Sequence, residues 1–215
     1  MNQTRLENAQ RWFLSRYPGG FAHPELALIG KKHRLEKMQD FVRDNFAQKK
    51  FRDTDELLAD WVKLVSRASL VSIFEKPKFR DLVNDLSPKE KNRFAAGLKA
   101  QLHGDQQTGF EQILHLLQSY KFAKWSIISL APVYANPQEE VFVKPTTVKS
   151  IIGFLELENL VYRPQPSWEF YCEFRRQIAQ LRAMVDPSIA PNNLAFTGFL
   201  MIALQAGEEL AGIGQ

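Results

Sequence analysis

A chain of 215 residues, 45% hydrophobic and 24% charged, carries enough apolar side-chain mass for a folded core, which excludes an intrinsically disordered chain. A single cysteine, Cys172, excludes an internal disulfide framework and a multi-cysteine metal centre. The net charge of +4 is unevenly placed: residues 1–103 hold 20 Lys/Arg against 13 Asp/Glu, whereas residues 104–215 hold 8 against 11.

Helical periodicity governs the predicted elements. A first helix spans about Thr4 to Arg16, turning Leu6, Ala9 or Gln10, Trp12 and Phe13 inward. Tyr17-Pro18-Gly19-Gly20 ends it, because proline cannot continue a helix and glycine favours a turn. Pro24 opens a longer second helix with the stripe Leu28, Leu35, Met38, Phe41, Val42 and Phe46, and Gly30 as its weak point. Asp53, with Glu56 three residues on, caps a third helix carrying Leu57, Leu58, Trp61, Val62, Val65 and Ala68. Pro77 starts a short helix with Phe79, Leu82 and Val83. Ser87-Pro88-Lys89-Glu90 is a second capping-box signal, ahead of Phe94, Leu98 and Leu102 and a stop near Gly104. Thr108-Gly109-Phe110-Glu111 reads as a third start, followed by Phe110, Ile113, Leu114 and Leu117 at helical spacing.

The apolar run Trp125 to Val133 fits a helix or a strand, and Ala135-Asn136-Pro137 breaks the chain. Val141-Phe142-Val143 and Leu160-Val161-Tyr162 are short β-like runs that can pair as a ribbon beside the helix between them. Ser167 caps a helix with Phe170, Phe174, Ile178 and Leu181 inward, leaving Trp168 and Tyr171 outward. After Pro187 and Pro191 comes a last helix around Phe196, Phe199, Leu200 and Ile202, apolar nearly all round and therefore expected at the centre. The expected fold is mainly α: a multi-helix globular bundle of roughly eight helices with at most a short two-stranded β-ribbon near 141–162. It is organised as a basic helical part, 1–135, and a helical part, 136–215, in one compact unit.

Three clusters are candidates for function. Lys31, Lys32, Arg34 and Lys37 crowd like charges that a phosphate or an acidic surface would relieve, which makes them the polyanion-binding candidate. On the same expected helix His33, Glu36 and Asp40 fall at i, i+3 and i+7, a spacing that can hold a metal in a bundle; surface ion pairing is the simpler account, and no metal is expected. The third cluster is the run Lys144-Pro145-Thr146-Thr147-Val148-Lys149-Ser150, continued through Leu155-Glu156 to Leu160-Val161-Tyr162-Arg163. Locally it resembles the recognition helix and first wing strand of winged-helix DNA-binding proteins. That resemblance implies Thr146, Thr147, Lys149 and Ser150 on DNA and Arg163 on phosphate. It covers about 20 residues; Phe154 and Leu157 stand where that family is usually polar, and the segment just upstream reads as turn and strand rather than as a supporting helix.

Walker loops, G-x-G-x-x-G and G-x-S-x-G are all missing, and Cys172 has no adjacent histidine to activate it. No apolar run marks a secretory signal at Met1 to Glu7, and Leu194 to Ala206 is shorter than the roughly 20 residues that span a bilayer. The expectation is a cytoplasmic, non-catalytic helical binding protein with no cofactor and no membrane association. Its basic N-terminal half would contact a protein or nucleic-acid partner. A DNA-binding regulator using 144–163 and a metal-assisted hydrolase are the alternatives.

Overall fold

The computed structural model describes residues 1–212, and among these the side chains of all but Lys32 and 208–212. It is helical, with eleven helices of six residues or more, one four-residue helical turn and, among the described residues, no strand. The expected count of eight is too low for two local reasons. The long second helix is in fact α2 (Pro24–His33) and α3 (Leu35–Asn45), divided where Arg34 takes φ 54°, and not at Gly30. The ambiguous run 125–133 becomes α8 (Trp125–Ile128) and α9 (Leu130–Ala135), buried from Trp125 through Tyr134. Numbering in chain order, the others are α1 (Gln3–Arg16), α4 (Thr54–Arg67), α5 (Glu75–Asp85), α6 (Pro88–His103), α7 (Gln106–Ser119), α10 (Pro145–Leu155), α11 (Trp168–Arg182) and α12 (Asn193–Gly212).

The expected ribbon does not form. Val141, Phe142 and Val143 are buried in succession, whereas of 160–162 only Leu160 is buried and Val161 is exposed, and neither segment is a strand.

The chain divides into two compact units. One combines Met1–Lys32, Pro137–Arg163 and the chain from Glu169 onward, so the N-terminal helix groups with the C-terminal part. Its core is α1, α10 and α12. Phe13 packs edge-on against Phe199 with ring centroids 5.1 Å apart, and Phe196, Phe199 and Leu200 are fully buried along one face of α12. Leu194, Met201, Ile202 and Leu204 are half-buried, so the helix is not enclosed all round, contrary to the expectation from its apolar pattern. Gly20 closes this unit: its φ is 62°, and a Cβ there would overlap the Ser188 backbone carbonyl. A buried polar knot forms around Glu140, at the start of the buried segment 140–143. Tyr171 Oη donates to Glu140 Oε2 at 2.6 Å and Arg175 Nη1 to Oε1 at 2.8 Å, while Asn193 donates through Nδ2 to the Glu140 carbonyl at 3.2 Å. Tyr171 is therefore inside, contrary to the expected outward placement, because its hydroxyl has a buried carboxylate to meet; Phe170 is only half-buried.

The other unit is His33–Asn136 with Pro164–Trp168. Its caps explain its helices. Asp53 accepts from Glu56 N at 2.9 Å, and Ser87 with Glu90 forms a complete capping box. The expected Thr108 cap is displaced to Asp105, whose carboxylate accepts from Thr108 N at 2.7 Å, so α7 begins two residues before Thr108. Trp61 stacks on Phe94 at 4.4 Å, and α6 and α7 form a tight hairpin in which Gly109 faces the backbone of α6 and Gly97 faces the Ile113 and Gln112 side chains of α7.

Candidate functional site

In the 33–136 unit, α5 and the connection from α7 to α8 border an open cleft of about 590 Å³. Apolar periodicity places Leu82 and Phe122 inward, where they are buried and floor the cleft. On its rim Phe74 is 73% exposed and its neighbour Ile73 72%, an apolar pair turned to solvent where α5 begins. Lys78, Lys121 and Lys124 line the cleft and are exposed, and among the described residues no carboxylate lies within ion-pair distance of any of them.

Three carboxylates share the cleft, but two are already engaged. Glu75 Oε2 accepts from Ser126 Oγ at 2.6 Å, and Asp81 Oδ1 accepts from Arg80 Nε at 3.0 Å and Nη2 at 2.8 Å. Asp85 is the third and is exposed. Tyr120, also in the lining, donates to Glu90 Oε1 at 3.2 Å; burial and then the adjacent Glu90 push its phenol above its ordinary range.

The position of Lys121 follows from the end of α7. Phe122 N donates to Leu117 O at 2.8 Å and Lys121 N to Gln118 O at 2.9 Å, the paired bonds of a Schellman stop, with Phe122 as its apolar anchor. That motif needs a left-handed residue, usually glycine. Here Lys121 fills it with φ 53°, at about 1–2 kcal/mol of backbone strain.

The residues singled out from sequence are placed differently. Lys31 is exposed on α2, within the first unit; the side chain of Lys32 lies outside the described residues. Arg34 and Lys37 are exposed in the basic unit. The break at Arg34 removes the single-helix register on which the His33, Glu36 and Asp40 set depends. His33 Nδ1 instead sits 2.8 Å from Ser69 Oγ, and Asp40 pairs with Arg43 at 2.8 Å. Among the described residues no three His, Cys, Asp or Glu side chains converge to hold a metal ion.

The winged-helix expectation loses its wing, since 160–163 is not a strand. Thr147 is buried, with its Oγ1 3.0 Å from Met201 Sδ, so it does not share an outer face with Thr146, Lys149 and Ser150, which are exposed. Lys149 Nζ lies 5.1 Å from the Tyr162 ring centroid, Arg163 is exposed, and residues 136–144 form no supporting helix. Leu157 is buried and Phe154 half-buried, as their apolar character demands.

Reading the sequence alone missed Lys78, Lys121 and Lys124. A non-glycine at the stop of α7 was the one local signal, and Lys78 stands more than forty residues away. No known protein family, curated protein or solved structure matches this chain. No helix of the described residues is long and apolar enough to cross a membrane.

Proposed function

We propose that this chain is a non-catalytic helical binding protein whose 33–136 unit contacts an acidic macromolecule. One observation carries the reading: residues 33–136 hold 17 Lys/Arg against 13 Asp/Glu, whereas the remaining residues hold 11 of each, so the whole net charge belongs to one unit. Exposed cations that have no ion partner among the described residues, Arg34 and Lys37 as well as the three cleft lysines, supply the attraction. Each is fully hydrated when free, so the gain comes from complementary charge at low salt and fades as screening rises.

The test is retention of the intact chain on immobilised poly-L-glutamate and on heparin across a salt gradient. Retention that weakens with salt, and weakens further when Arg34, Lys37 and the cleft lysines are changed to Glu, supports the reading. Passage through both matrices at low salt overturns it.

A further inference from the structure

We infer that the cleft between α5 and the α7–α8 connection is a docking site for an acidic peptide segment bearing an apolar or aromatic side chain. The inference deepens the proposed contact with an acidic macromolecule and rests on it. Two features of the cleft decide the class of occupant. Lys78, Lys121 and Lys124 have no ion partner among the described residues and ask for carboxylates. Exposed Phe74, in the lining with Leu82 and Phe122 and next in the chain to exposed Ile73, asks for an apolar group to cover it.

A nucleic acid satisfies the first demand and not the second. Its closely spaced phosphates would also meet Asp85, Asp81 and Glu75 in the same lining, whereas a peptide can space its carboxylates and offer backbone N–H groups to those acids. A cleft of about 590 Å³ open to solvent accommodates a few residues of extended chain.

Lys121 allows a separate check. A glycine would end α7 with less strain; Lys121 fills that place as Glu156 does at the end of α10, and here it sets a charge at the cleft. Lys121→Gly is therefore expected to raise the melting temperature while weakening the complex, a combination that a purely structural lysine would not produce.

The probe is a random copolymer of glutamate and tyrosine, compared with poly-L-glutamate and with duplex DNA at one low salt concentration. Binding to the intact chain is read by fluorescence anisotropy. The copolymer should bind best. Lys78→Glu, Lys121→Glu and Lys124→Glu combined should weaken it roughly tenfold or more, and Phe74→Ala severalfold, with the far-ultraviolet dichroism and melting of each variant checked. DNA binding as tightly as the copolymer, or copolymer affinity unmoved by the triple reversal, overturns the inference. If copolymer affinity survives that reversal but falls when Arg34 and Lys37 are reversed, the cleft is wrong and the basic-unit reading stands. Absence of binding to all three polymers removes both.

Discussion

Gly109→Ala isolates the closest approach in the 33–136 unit. A Cβ built on Gly109 lies 2.6 Å from Gln101 Cα and 2.6 Å from the Gly97 carbonyl oxygen, and overlaps Gln101 N. All three are backbone atoms of α6, so no side-chain rotation makes room. An ordinary carbon contact of about 3.5–4.0 Å requires the two helices to part by about 1 Å. That separation loosens an interface where Phe94, Leu98, Phe110, Ile113 and Leu117 are fully buried. Overpacking of this kind costs about 1–3 kcal/mol, and alanine recovers up to about 1 kcal/mol through helix propensity. Because the overlapped atoms are rigid backbone, the cost falls at the upper end, and a net loss of about 2 kcal/mol is expected. Gly97→Ala is the control, since its Cβ would meet the Ile113 side chain at 3.0 Å and the Gln112 side chain at 3.3 Å, of which the Ile113 side chain can yield. Urea unfolding followed by tryptophan fluorescence measures both. A Gly109→Ala protein as stable as the parent, or more stable, would refute the claim that backbone approach rather than helix propensity rules this position.

Leu200→Asp, which places a charge at a fully buried site in α12, should abolish cooperative melting of its unit; an unchanged melting curve would show that α12 is not central. Tyr171→Phe removes the 2.6 Å donor to buried Glu140 and is expected to lower stability by about 1.5–3 kcal/mol, read from urea titration, with no change if Arg175 alone satisfies the carboxylate. Glu173 is held down to about 2 by hydrogen bonds from Arg176 and Gln177. Its unfolded value is about 4.3, so this contribution is complete above that pH and is lost as pH falls toward 2. Glu173→Gln should flatten the acid limb of stability over that window, and a limb of unchanged slope would contradict the assignment.

The helical class, the Asp53 and Ser87 caps and the burial of Phe196, Phe199 and Leu200 were legible in the chain, because each depends on residues within a few positions of one another. Tertiary packing decided the rest. Tyr171 turned inward to reach Glu140, 31 positions earlier; Arg34 broke the helix expected to run on from Pro24, and Leu28 of its expected inward stripe is 65% exposed; and Val141 to Val143 are buried without pairing as a ribbon. Local pattern reports what one segment can bury or cap. Which lysines share a cleft, as Lys78 does with Lys121 and Lys124, depends on chain positions brought together only when the cores form, and no short-range periodicity encodes that meeting.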